Sequence, residues 1–98
     1  MLIGVDTDWY ISAPEFAATY LTSILKNMDV SVFDAAKAVA DGTFAGGVYV
    51  GTLENNGVGI SPFHEYADDV PAALAAELEQ IKARIIAGTI TVAGVLGL

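Results

Sequence analysis

Residues 2–5 form an unbroken apolar run that stops at Asp6. A strand with one face in water alternates apolar and polar residues, whereas a strand covered on both faces does not have to. The run therefore predicts a buried strand of a parallel sheet, terminated by a carboxylate. In open α/β sheets, ligands are met just beyond the carboxyl ends of the strands, which is where Asp6 and Asp8 fall. That feature points to a layered α/β architecture.

The rest of the sequence agrees with it. Residues 19–25 are rich in β-branched and aromatic side chains and read as a second strand, with a helix as the alternative. Asp29 suits the N-cap of a helix running to about Ala40, with Val32, Phe33, Ala36, Val39 and Ala40 on one face and Gly42 as its stop. Residues 47–53 read as a third strand, Asn55-Asn56-Gly57 as a turn, and residues 58–60 as a short strand returning in a hairpin-like excursion. Asp68 and Asp69 before Pro71 mark the start of another helix. Leu74, Leu78, Ile81 and Ile85 then form a helical stripe that Gly88 ends, and residues 90–92 suggest a last short strand. Strands alternating with helices predict an α/β fold with a mostly parallel sheet and flanking helices.

A chain of 98 residues fits one domain and no more. At this length only about 60–65% of the unfolded surface is buried on folding, so a content of 54% hydrophobic residues suggests apolar surface intended for another lobe or subunit. The formal net charge of −8 opposes binding to phosphate backbones and anionic lipid, so nucleic acid is not an expected partner. With no cysteine and a single histidine, thiolate and histidine-cluster metal sites are excluded, as is a thiol nucleophile. No cofactor fingerprint appears, since the glycines match neither a dinucleotide-binding motif nor a phosphate-binding loop. The first residues lack the basic region of a signal peptide, and residues 90–98 are too short an apolar run to span a bilayer.

Four residues stand out as ligand contacts. The Asp6 and Asp8 carboxylates suit the paired hydroxyls of a sugar, although an Asp after a strand also commonly caps the next turn. Trp9 offers an aromatic face to a sugar or base, or packs over the strand end. Lys26 is the one basic residue placed in a loop beside a strand end, free to reach a ligand hydroxyl or to pair with Asp6; the ordinary alternative is a solvated surface lysine. His64, in Ser61-Pro62-Phe63-His64-Glu65-Tyr66, reads as a loop histidine, and a Ser-His-Asp arrangement lacks the sequence context of a nucleophile elbow. No residue is expected to be catalytic.

Six stretches fall together in one order: Ile3-Gly4-Val5-Asp6-Thr7-Asp8, Leu21-Thr22-Ser23-Ile24-Leu25-Lys26-Asn27, residues 29–44 with their Asp41-Gly42-Thr43-Phe44 end, Gly46-Gly47-Val48, Asn56-Gly57-Val58-Gly59-Ile60-Ser61-Pro62 and Ile85-Ile86-Ala87-Gly88-Thr89-Ile90. Over residues 2–92 the chain resembles the C-terminal part of the basic membrane protein family, the substrate-binding lipoproteins of ABC-type importers. The resemblance implies a fragment of a type I periplasmic-binding fold, in which two α/β lobes close over a ligand. It implies a purine nucleoside or related solute as ligand and an ABC permease as partner of the parent protein. Asp6 and Lys26 occupy the positions that reach the ribose hydroxyls in that family. Trp9 stands where the family often has Gln.

The resemblance further implies that residues 1–98 are a single partial domain. The N-terminal lobe, the base-stacking aromatic and the lipid-anchoring cysteine of such a protein lie outside it. The parent protein is then extracytoplasmic, periplasmic or membrane-anchored, and does no chemistry. A fragment with this much apolar surface, including the tail over residues 92–98, is expected to self-associate. The competing readings are a cytosolic ligand-sensing or dimerisation module built from the same lobe and, more remotely, a hydrolase using Asp6, Asp8 or His64.

Overall fold

The computed structural model describes residues 1–93. Its element order is β1 (Leu2–Asp6), a short helix α1 (Trp9–Ser12), a 3-10 helix (Pro14–Thr19), β2 (Tyr20–Lys26), α2 (Met28–Ala40), β3 (Val58–Ile60), a second 3-10 turn (His64–Tyr66) and α3 (Ala72–Ile86). The three strands form one sheet in the order β1-β2-β3, flanked by helices. β1 pairs with β2 in parallel, in a register that sets Asp6 against Leu25. β2 pairs with β3 antiparallel, Lys26 opposite Val58. The sheet is therefore mixed rather than mostly parallel, because residues 58–60 fold back onto β2.

Both long helices end as their glycines predict. At the end of α2, the Thr43 amide donates to the Ala38 carbonyl at 2.9 Å and the Gly42 amide to Val39 at 3.1 Å. At the end of α3, Thr89 donates to Arg84 at 2.9 Å and Gly88 to Ile85 at 3.0 Å. These are Schellman closures, and they require the left-handed backbone that Gly42 (φ 69) and Gly88 (φ 73) supply. The start of α2 differs from expectation. Asn27, not Asp29, is the N-cap, and it makes no side-chain capping bond. Its side chain is used elsewhere: Nδ2 donates to the Asn56 carbonyl at 2.8 Å, tying the helix start to the following loop.

Two expected strands are not formed. Residues 47–53 run as irregular chain and turn. β3 pairs with β2 and not with them, although its outer edge stays open, and Val48 is left 91% exposed. Polar groups close the loop instead. Asn55 Oδ1 accepts from the amides of Thr52 (2.8 Å) and Gly57 (2.9 Å), and Asn55 Nδ2 donates to Val50 O (3.0 Å). Residues 90–92 form no strand either: the Schellman closure turns the chain away, and Val92 and Ala93 are helical. The apolar tail is described only as far as residue 93, so the rest of residues 92–98 lies outside the described residues.

The interior is small and largely polar. Tyr20, Thr22, Ser23 and Ser61 are buried. The Ser61 hydroxyl accepts the Ser23 amide at 2.8 Å, and Thr22 Oγ1 donates to the Ser61 carbonyl at 2.7 Å. β1 is not the buried strand its apolar run predicts: Leu2, Ile3 and Val5 stay exposed, as do Ile24 and Ile60, because no helix among the described residues covers these faces of the sheet. The accessible area is 7046 Å², against about 5,300 Å² for a self-contained chain of this mass. The radius of gyration is 16.1 Å, against about 13 Å for a compact domain of this length. The α3 stripe faces β2 and β3 across a groove of about 680 Å³ lined by Ile24, Val58, Ile60, Leu78, Ile81 and Ile85. Among the described residues, no helix is long and apolar enough to cross a membrane.

Candidate functional site

The parallel pairing of β1 and β2 brings their carboxyl ends to one edge of the sheet. Asp6 is the last residue of β1 and Lys26 the last of β2. Lys26 Nζ lies 3.4 Å from Asp6 Oδ1, with the two side chains 64% and 59% exposed. An ion pair this open to water is held weakly. Either group can therefore turn to an incoming hydroxyl without loss of a strong internal contact.

The backbone at Asp6 is unusual. Its φ is 70, in the left-handed region, and the Thr7 amide donates back to the Val5 carbonyl at 2.9 Å. An i to i+2 bond around a positive φ is a γ-turn of the rare, strained kind. Such a conformation persists only where its surroundings over-determine it. Here Trp9 supplies two of the constraints. Its indole Nε1 donates to the same Val5 carbonyl at 3.0 Å, and its backbone amide donates to Ser23 Oγ at 3.1 Å. Its ring meets Tyr20 edge to face, with centroids 5.7 Å apart.

Asp8 supplies further constraints. Oδ1 accepts the Tyr10 amide at 3.1 Å and caps α1. Oδ2 lies 2.8 Å from His64 Nε2, and the two side chains are only 14% and 21% exposed. The contact is a hydrogen bond from Nε2 in the tautomer that carries its N–H there. Tyr10 stacks flat on the His64 imidazole, with centroids 4.0 Å apart and planes 6° from parallel. Its hydroxyl lies 3.5 Å from Glu65 Oε1, at the outer limit of a hydrogen bond. Tyr66 fixes the other end of the 64–66 turn by donating to the Ala18 carbonyl at 2.6 Å.

Of the four residues expected to meet a ligand, the structure brings Asp6 and Lys26 together in the open. Asp8 and Trp9 sit beside them, but their polar groups are engaged inside the chain. Sequence reasoning took His64 for a loop histidine, and it gave Ser23 and Ser61 no role. Ser61 and Ser23 carried a faint signal, as hydroxyls beside or within apolar strand sequence. Elsewhere, Tyr49 donates to Asp34 Oδ2 at 3.2 Å; partial desolvation and then that carboxylate hold its phenol above the usual pKa. No cluster of three or more potential metal ligands occurs among the described residues.

No known family model matches the chain. It is similar to an uncharacterized lipoprotein of Pyrococcus abyssi, 38% identical over 68 residues that cover 63% of this chain and 16% of that protein. An uncharacterized lipoprotein of Pyrococcus horikoshii is similar to the same extent, 38% identical over 68 residues with the same coverage of both chains. The chain thus spans about 16% of the length of these curated relatives, and what it is similar to is a segment of archaeal lipoproteins.

Proposed function

We propose that this chain is part of an extracytoplasmic solute-binding lipoprotein that serves an ABC-type importer. In this reading it supplies one wall of a ligand cleft between two lobes, in a fragment of a type I periplasmic-binding fold. The ligand is a purine nucleoside or a related solute, and no chemistry is done on it. The observation that carries the reading is the exposed Asp6–Lys26 pair at the carboxyl ends of two parallel strands. A carboxylate and an ammonium side by side accept from and donate to the paired hydroxyls of a ribose. The similarity to archaeal lipoproteins supports a membrane-anchored, extracytoplasmic place. The chain has no cysteine, so the anchor belongs to a part of the parent protein outside it. The uncovered apolar strand faces and the excess accessible area suit a segment that packs against further polypeptide.

The test is calorimetry on the full-length parent protein with adenosine, guanosine and inosine. Asp6→Ala is expected to weaken binding by about 1–3 kcal/mol, the usual loss of hydrogen bonds to a charged group. Full affinity in that variant would sink the assignment of Asp6. Residues 1–98 alone are expected to bind these nucleosides weakly or not at all, because half of the cleft is missing. A parent gene without a signal peptide and lipid-anchoring cysteine favours the cytosolic module instead. Turnover of a nucleoside by the parent protein would favour the hydrolase.

A further inference from the structure

The γ-turn at Asp6 needs something to hold it, and the constraints around it come from two sides. Trp9 secures the turn from within its own loop, through the Val5 carbonyl and Ser23 Oγ. The other support arrives from far along the chain. His64, 56 residues from Asp8, reaches back across the sheet edge to the carboxylate two residues after Asp6.

His64 is itself built into place. Its φ of 46 is left-handed, a conformation uncommon outside glycine but one that histidine adopts more readily than most residues. One face of the imidazole is covered by Tyr10, and Nε2 meets Asp8. The turn that carries it is fastened before by the Ser61 amide to the Ser23 carbonyl (2.9 Å) and after by Tyr66 to Ala18. Asp8, Tyr10 and Glu65 are the titratable groups the structure places against it or its stacking partner. An exposed loop histidine has no need of such support.

We propose that His64, with Tyr10 stacked on it, is a positioning residue: through Asp8 it clamps the loop after β1, so that Asp6 presents its carboxylate beside Lys26. The clamp rests on the reading of Asp6 as a ligand contact, and it assigns to His64 a role in affinity rather than in contact. The link joins residues 56 positions apart, so the turn after β3 governs the geometry at the end of β1. The role requires one N–H aimed at Asp8 and does not require a charge on the ring. Glutamine at position 64 can supply that N–H, and alanine cannot.

Two measurements test the clamp. In residues 1–98, amide hydrogen exchange over residues 7–9 should rise about tenfold in His64→Ala, the equivalent of losing one hydrogen bond to a charged group. The amides of β2 that face β3 should keep the wild-type rate, and His64→Gln should restore most of the protection. In the parent protein, His64→Ala should lower nucleoside affinity about tenfold, with His64→Gln within about threefold of wild type. Unchanged exchange over residues 7–9, or a uniform rise across the sheet, overturns the clamp, as does unchanged affinity in a parent that binds nucleosides. A parent that binds none of the three nucleosides refutes the proposed ligand but leaves the exchange measurement to decide the clamp. Should His64→Ala fail to fold, His64→Phe, which keeps a ring against Tyr10 but has no N–H for Asp8, gives the same comparison.

Discussion

Gly4→Ala is expected to destabilise the chain by about 1–3 kcal/mol, the range for forcing an extra carbon into a packed site. A Cβ at position 4 would lie 2.5 Å from Ser23 Oγ and 2.7 Å and 2.8 Å from Trp9 Cγ and Cδ2. Neither neighbour can give way cheaply. The Ser23 hydroxyl holds the Trp9 amide, and the Trp9 indole is hydrogen-bonded to the Val5 carbonyl. The methyl must therefore either push the indole away or open the β1–β2 pairing. Urea unfolding followed by far-UV circular dichroism should show a lower midpoint. A midpoint within error of wild type would mean that the Trp9 ring is not packed against Gly4.

Ser61→Ala is the second large effect, again about 1–3 kcal/mol, from a buried donor left without an acceptor. Ser61 is 2% exposed. Its hydroxyl accepts the Ser23 amide at 2.8 Å, lies 3.2 Å from Thr22 Oγ1 and donates to the Pro62 carbonyl at 3.2 Å. Alanine at position 61 removes the acceptor that the Ser23 amide uses. Thr22 keeps its bond to the Ser61 carbonyl, so the loss centres on Ser23. Chemical denaturation of the variant measures it directly. A loss below about 0.5 kcal/mol would show that water takes over the role of the hydroxyl.

The elements that could be read in advance were those with a local cause. β1 follows from its apolar run, and the ends of α2 and α3 follow from Gly42 and Gly88, which alone accept the left-handed turn cheaply. β3 was legible because a strand-forming triplet follows the Asn56-Gly57 turn. The proximity of Asp6 and Lys26 was legible because both lie at strand ends. The misread parts depend on which neighbour is available. Residues 47–53 have strand-forming side chains, but the chain there is closed by the Asn55 side chain, which bonds the backbone of Val50, Thr52 and Gly57 in place of a ladder. Asn27 could not be distinguished from Asp29 as a cap, because what decides it is a bond to Asn56 across the loop. The His64–Asp8 pair joins side chains 56 residues apart, and no spacing rule connects them. The polar interior at Ser23 and Ser61 was hidden for the same reason, since hydroxyls are buried only once their partners are in place.

The shared acceptor at Val5 makes the protein its own sensor. The chain has a single tryptophan, and its indole N–H is bonded to the carbonyl that closes the turn around Asp6. Indole emission depends on the polarity and hydrogen bonding around that N–H. Any event that reshapes the turn, whether occupation of the edge or loss of the His64 contact, is expected to shift the emission of Trp9 with no other tryptophan in the chain to mask it. The loop after β1 can thus be followed optically and label-free, in this chain or in any longer protein whose other tryptophans have been replaced.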